Sequence, residues 1–405
     1  MTKVGIIGGG AAGAMAAISA AQNGAEVTIL ERNEKLFKKL FITGKGRCNI
    51  TNTAYYEEFL QNIIRGRKFF MSSFSSFDNY ALMDFFEANN LKIKEERGGR
   101  IFPQSDKSSD VIKVLESKLD KLNVDVKLNY DVKTITKQNS KYIVNDSQEF
   151  EKIIICTGGC SYKSTGSDGS MYKIVEKLGN EITPVLPGLS AMTTENIDLP
   201  QLQGVSMVNV RLSAKLGKKT IFDDLGEMLF THFGISGPLV LSMSSFLEKE
   251  NLSEYEIYLD LKPGLSEEKL YNRIGRDFEN EPKRTMKNVL RRLLPAAMIE
   301  TVLERTGISG DLVCNQVNAK QRESLVKTLK FFIIEVKDFY KMDQAIVTRG
   351  GVNLNEVNPK TMESKILPGL YFAGEILDID ALTGGFNLQV AFSTGYSAGK
   401  YSAES

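Results

Sequence analysis

The chain has 405 residues, 42% hydrophobic and 25% charged, an ordinary globular composition and more than one core can organise, so two or three domains are expected. Lys plus Arg total 51 against 50 Asp plus Glu, so no net field gathers a polyanion and nucleic acid is not expected as a partner. Four cysteines without a C-x-x-C pair, a single histidine and no further apolar run of about 18 residues argue against a dithiol, a metal centre and a membrane span, and fit a cytoplasmic, reducing location.

Residues 3–7 read as a buried strand, followed by the turn Gly8-Gly9-Gly10-Ala11-Ala12-Gly13, a helix of small residues, a second strand at 26–30 and then Glu31. This is the G-x-G-x-x-G arrangement in its strand–turn–helix context. Gly8 permits the tight turn, Gly10 lets a pyrophosphate approach the backbone, and Gly13 lets helix and strand pack closely. The helix start offers free N–H groups and a positive dipole end to phosphate. Glu31 is placed to accept ribose hydroxyls and disfavours a 2′-phosphate. A dinucleotide is therefore expected. Residues 4–21 are apolar, but their glycines and the βαβ context argue against a signal segment.

Residues 36–53 read as a loop and 55–120 as mainly helical, broken by a turn or short strand at 98–103. Residues 123–155 alternate as strands and end in Ile153-Ile154-Ile155, then Cys156-Thr157-Gly158-Gly159, the carboxyl edge of a parallel sheet. From about 191 to 262 short alternating strands suggest a barrel or small sheet, and 266–332 has helical spacing. Strands return at 344–348 and 369–375. Gly384-Gly385-Phe386-Asn387-Leu388-Gln389 opens a last helix reaching about Lys400. The expected division is a nucleotide-binding domain at 1–190, an insert at 191–341 and a return to the first domain at 342–405. The insert leaves and re-enters at the carboxyl edge of the sheet, where it is expected to supply part of a substrate pocket. There is no internal repeat or low-complexity tract.

The first βαβ unit suits NAD or FAD equally. The second glycine-rich helix start favours a flavin, because its dipole would face the pyrimidine end of the reduced ring. With these residues in hand, the chain resembles the BaiN/RdsA (YhiN-like) family of NAD(P)/FAD-dependent oxidoreductases, which includes aminoacetone-oxidase-like flavoproteins. The resemblance rests on Gly8–Gly13, on the run from Lys39 through Thr43-Gly44-Lys45-Gly46-Arg47-Cys48-Asn49 to Asn52, and on Thr157-Gly158-Gly159. It extends through residues 229–238, 347–352 and 372–389, and so spans nearly the whole chain.

The resemblance implies FAD in a discontinuous, glutathione-reductase-like α/β domain of Rossmann type, with a β-barrel-plus-helices insert; no His or Cys sits in an evident flavin-attachment motif, so the FAD is expected to be held non-covalently. It places Ala12, Glu31 and Arg32 on the adenosine and pyrophosphate, and Val126 against the adenine. It places Thr43, Gly46, Arg47, Cys48 and Asn49 along the pyrophosphate and flavin, Gly374 and Glu375 at the ribityl chain, and Asn387 and Leu388 at the ring. Ala11, Lys39, Gly44, Thr157, Gly158, Gly385 and Phe386 complete the candidate cofactor set.

His232 is a candidate proton donor or a hydrogen-bonded structural residue. Cys48 is a candidate thiol near the flavin, without a resolving cysteine nearby. Arg349 suits an anionic substrate, the flavin edge or a buried ion pair. Tyr162 and Tyr371 read as core, and residues 165–169 as a helix cap. With one fingerprint and no dithiol, NAD(P)H would act only as a transient donor. The preferred activity is NAD(P)H-dependent reduction of an organic substrate such as an activated C=C bond. A flavin amine oxidase making H2O2 is the alternative, and an RNA-modifying flavoprotein the least favoured. Small-molecule substrate is expected; oligomeric state is open.

Overall fold

Short β-branched runs with both faces apolar suit the middle of a parallel sheet covered on both sides. In the computed structural model, which describes residues 1–404, they do this in one of two compact units, Met1–Gly188 with Met342–Ser405. Its sheet runs Leu370–Phe372, Lys152–Ile155, Lys3–Ile7, Glu26–Leu30, Asp125–Lys127, and every neighbouring pair is parallel. Ile153, Ile154 and Ile155 are fully buried. Because Leu370–Phe372 pairs with Lys152–Ile155, the two distant stretches of chain form one fold.

The helix Ala11–Gln22 is almost wholly buried, as is much of Phe386–Ala403, which fits their lack of a polar face. They touch backbone to backbone. A Cβ on Gly395 would lie 2.4 Å from the carbonyl oxygen of Ala12, and one on Gly399 2.2 Å from that of Ala16.

Two local expectations need correction. The stretch 36–53 is not all loop: it contains a one-turn helix, Lys38–Ile42, and a strand, Thr51–Asn52, paired with Arg100–Pro103. The strand expected from 344 starts only at Val347. Residues Met342–Gln344 form a tight helical turn, because Asp343 accepts the backbone N–H groups of Tyr162 and Lys163 and is drawn out of any ladder.

The second unit, Leu189–Lys341, has its own core. Seven antiparallel strands run Phe332–Ile334, Tyr255–Asp260, Ser206–Leu216, Lys219–Thr231, Gly234–Ser236, Met192–Thr194, Val336–Phe339. The two edge strands are separated by Glu335 alone, so the ladder returns to the run where it began, in the manner of a barrel. Helices Glu267–Asn280, Ala296–Thr306 and Ala319–Lys330 bury Leu270, Ile274, Val302, Leu325 and Leu329 in the same core. Ser266 caps the first of them, and Asn318 with Gln321 forms a capping box on the last. Among the described residues no helix is long and apolar enough to cross a membrane, and no group of three or more His, Cys, Asp or Glu could hold a metal ion.

Candidate functional site

At the carboxyl ends of the parallel strands, glycine-bearing segments leave the sheet together. After Lys3–Ile7, Gly8 turns with φ 102°, and a Cβ there would sit 2.7 Å from the carbonyl oxygen of Cys156. A Cβ on Gly13 would lie 1.9 Å from the carbonyl oxygen of Gly8, so only glycine lets this helix meet this strand. Gly10, the N-cap of Ala11–Gln22, faces open space, with nothing within 4 Å of its virtual Cβ. A helix start with uncovered backbone in front of it is the physical form of a phosphate cradle.

Glu31 is buried, and its carboxylate is already engaged. Oε2 accepts the Gly9 N–H at 2.7 Å, while Oε1 accepts the Asn33 N–H at 2.9 Å and its amide Nδ2 at 2.6 Å. With about four lone-pair directions on a carboxylate, one remains toward a ligand. Glu31 thus holds the fingerprint turn in place, a role additional to the one its position in the sequence suggests. Beside it, Arg32 pairs with Asp168 at 2.7 Å and Asp131 at 3.2 Å. Asp168 also accepts the Ser170 N–H at 3.0 Å, at the start of the helix Ser170–Lys177. Val126 lies on the edge strand next to Ile29.

The strand Thr51–Asn52, which follows the 43–49 loop, meets the start of the last helix. Thr51 Oγ1 bonds Gln389 Oε1 at 2.7 Å, Asn52 Nδ2 donates to the Gly384 carbonyl at 3.1 Å, and a Cβ on Gly385 would be 2.4 Å from the Thr51 carbonyl. Gly44, Lys45, Gly46 and Cys48 all have positive φ, and Gly46 opens onto free space. Thr43 Oγ1 donates to the Lys39 carbonyl, and its own carbonyl accepts the Cys48 N–H. Asn387 uses its side chain internally, gripping Ala381 through both N–H and C=O, which leaves its backbone for a ligand. Phe386 is buried against Phe59, and Leu388 is half-buried.

A second polar knot involves Lys39 and Glu375. Lys39 Nζ lies 2.5 Å from Glu375 Oε2 and 2.8 Å from Ser161 Oγ, and Glu375 Oε1 accepts the Thr348 N–H at 2.7 Å and Ser161 Oγ at 3.1 Å. Burial pushes the Glu375 carboxyl upward, but the Lys39 ammonium and these hydrogen bonds outweigh it and hold it below the usual range. Gly374 approaches Ala12 so closely that a Cβ would be 2.7 Å from the Ala12 methyl. Ser161 and Thr348 escaped the sequence reading. Both are ordinary small hydroxyl residues, and only the Thr-Gly-Gly turn before Ser161 hinted at its place.

Other candidates are placed differently. The Arg47 guanidinium turns to Asp106 at 2.8 Å and to Glu96, stacked over Phe102 at 4.2 Å. Cys48 is fully buried, and burial pushes its thiol up to about 12, so it is an inert protonated thiol rather than a reactive one. Arg349 is buried, and its charge, with that of Arg65 at 3.1 Å, works against the upward push that burial gives the Asp380 carboxyl. Tyr371 is core and Tyr162 is half-buried. In the second unit, His232 is exposed in the turn between Lys219–Thr231 and Gly234–Ser236. Its ring meets Phe233 edge-on at 5.1 Å, and Phe233 stacks on Tyr340.

Among the described residues, Thr157 Oγ1, Ser167 Oγ and Asn49 Oδ1 are buried without a protein hydrogen-bond partner, as are Tyr172 Oη, Asp378 Oδ1 and Ser397 Oγ of the same unit. A Cβ on Gly158 would be 2.8 Å from that Ser167 oxygen. Such groups are costly to bury unless a ligand completes them. Together with the open backbone at Gly10 and Gly46, they fit a polar, extended dinucleotide.

The family profile described as the HI0933-like protein Rossmann domain matches residues 2–401. The chain belongs to the HI0933-like family. One family relative, a 3-dehydro-bile acid delta(4,6)-reductase of Clostridium scindens, is 33% identical over 419 residues, covering 100% of both chains. Another, a ribosomal RNA dihydrouridine synthase of Escherichia coli, is 30% identical over 397 residues, 97% of this chain and 96% of that protein. Among solved structures, a 3-ketosteroid-delta4-(5alpha)-dehydrogenase from Rhodococcus jostii shares the fold, with a TM-score of 0.52 at 14% identity over 100% of this chain and 97% of that one. By class, this HI0933-like protein is an oxidoreductase.

Proposed function

We propose that the protein uses FAD to saturate a carbon–carbon double bond conjugated with a carbonyl, drawing its electrons from NAD(P)H. The observation that carries this is shared chemistry. The relatives that are 33% and 30% identical bear names describing very different substrates, yet both names denote addition of two hydrogens to such a bond. Bound FAD would supply the hydride carrier between nicotinamide and substrate.

The chain's own residues bind and orient. Backbone at Gly10 and Gly46 would take the pyrophosphate, Glu31 the ribose, and the Asn387 and Leu388 N–H groups the ring carbonyl. Lys39, fixed by Glu375 and Ser161, would add a positive charge along the ribityl side. Reduction of the double bond also needs a proton at the carbon next to the carbonyl, and His232 is the proposed source because it is the only histidine and is exposed in a turn. His232→Asn should keep FAD and its reduction by NAD(P)H while losing roughly 10²–10⁴-fold in substrate turnover. Full substrate turnover by that variant would remove His232 from the chemistry.

A second substrate class is favoured by two relatives, from Escherichia coli and Haemophilus influenzae, that are both named ribosomal RNA dihydrouridine synthase. Uridine in RNA carries the same conjugated bond. The two classes separate by product: incubation with NAD(P)H and a cyclic enone should add two hydrogens to the enone, whereas the RNA reading requires dihydrouridine to disappear from ribosomal RNA when the gene is deleted. Neither product, with rapid flavin reduction by small amines, would replace the proposal by an amine oxidase.

A further inference from the structure

A cavity of about 560 Å³ opens within residues 189–341, where the loop after Tyr255–Asp260 meets the bulged part of the long hairpin. The register between Ser206–Leu216 and Lys219–Thr231 shifts between Met207 and Val210, and Asn209 turns there with φ 54°. The bulge leaves Val208 58% and Leu225 49% exposed, and both line the cavity with Leu261, Pro263 and Leu265. Aliphatic side chains left in water beside a concave surface are poised to bury against an apolar ligand.

One charge in this lining is unspent. Arg211 is matched by Asp223 at 2.8 Å. The Lys262 ammonium has no hydrogen bond or ion pair among the described residues. Its nearby carboxylate, Asp260, is committed elsewhere: Oδ2 lies 2.6 Å from Lys330 Nζ, and Oδ1 accepts the Lys262 backbone N–H at 2.8 Å. Burial lowers the Lys262 pKa relative to a free lysine, as for an ammonium held in a partly apolar recess.

The rim is also fixed in advance. Lys330 Nζ donates to the carbonyls of Lys262 at 3.2 Å and Leu265 at 2.6 Å, and Leu261 N–H donates to Leu329. A rigid loop needs little ordering when a ligand arrives, and the volume lies in the range of small-molecule sites.

We propose that this cavity binds an amphipathic organic anion, its apolar body against Val208, Leu225 and Leu265 and its carboxylate or sulfonate at the Lys262 ammonium. Every lining residue belongs to the unit Leu189–Lys341, and the proposal does not depend on the reaction assigned to the flavin.

The test uses the FAD-loaded protein and two probes that differ in charge, anilinonaphthalene sulfonate and its uncharged parent, phenylnaphthylamine, each followed by its rise in emission. The native protein should bind the sulfonate saturably. Lys262→Gln should weaken the sulfonate about tenfold or more while leaving the uncharged probe unchanged. Leu225→Asp should weaken both. Non-saturable uptake by the native protein would overturn the proposal. So would a Lys262→Gln variant that binds the sulfonate normally, or one that loses both probes equally.

Discussion

The dinucleotide cradle and the insert make opposite demands on sequence. In the cradle, Gly8, Gly13, Gly385, Gly395 and Gly399 each face another residue's backbone oxygen within 3 Å of where a Cβ would stand. In the insert, backbone contact this close occurs at Gly234 and Gly237, beside the turn that carries His232, while the core is filled by Leu, Ile, Met and Phe, and Gly310 meets nothing closer than 3.5 Å. Backbone-to-backbone contact admits one residue type, whereas side-chain packing admits any set of about the right volume. Chemistry that depends on the first is therefore written as a motif, and substrate choice that depends on the second is not.

The sharpest way to break this contrast is a pair of glycine substitutions. Gly399→Val should prevent the two buried helices from closing and yield protein that aggregates or lacks flavin, a loss beyond the usual ~1–3 kcal/mol of overpacking. Gly310→Ala, with ordinary backbone and room for a methyl, should be neutral or stabilising by about 0.4–1 kcal/mol. Melting temperature and flavin content read both. Comparable losses in the two variants would erase the distinction.

Next in size is Glu31→Ala. It should lower FAD affinity by about one to two decades through the lost ribose bond. It should also destabilise the protein, because the Gly9 and Asn33 donors lose their acceptor at roughly 1–3 kcal/mol for a stranded buried group. Calorimetric titration with FAD and thermal melts separate the two effects. A drop in affinity with an unchanged melt would show that the turn holds without Glu31.

Glu375→Gln should cost about 1.5–3 kcal/mol, the worth of hydrogen bonds to a charged group. Since the folded-state pKa of Glu375 lies below its unfolded value of about 4.3, its stabilisation is complete above that pH and is lost as pH falls through the folded value. Melts of the native protein should therefore fall more steeply than those of Glu375→Gln as the solution is acidified below about pH 4.3. Parallel curves would show that the Lys39 pair contributes nothing. Arg47→Ala should be the smallest effect, because its guanidinium is engaged by the half-buried carboxylates of Glu96 and Asp106. FAD affinity should stay within about twofold, and a large loss would return Arg47 to the cofactor.

Much of the fold was legible because glycine spacing and two-residue alternation are local signals. The fingerprint at Gly8–Gly13, the strand ending at Ile155 and the helix start at Gly385 are each readable within a dozen residues. What the sequence hid is long-range. Glu31 gave no sign that its carboxylate also anchors Gly9, and Lys39 none that Glu375 would find it 336 positions later. Arg47 sits inside a glycine-rich motif, yet its partners Glu96 and Asp106 are brought beside it only by tertiary structure. The helical turn at Met342–Gln344 depends on Tyr162 and Lys163, far upstream.

The most direct test of the central claim is an anaerobic two-step mixing experiment on the purified yellow protein. NADH or NADPH should bleach the flavin, and a compound with a conjugated C=C bond, a cyclic enone or uridine in RNA, should then restore the colour with one double bond saturated per flavin reoxidised. Purification without FAD, or bleaching by small amines but not by either nicotinamide, would contradict the account. So would reduced flavin that only oxygen can reoxidise.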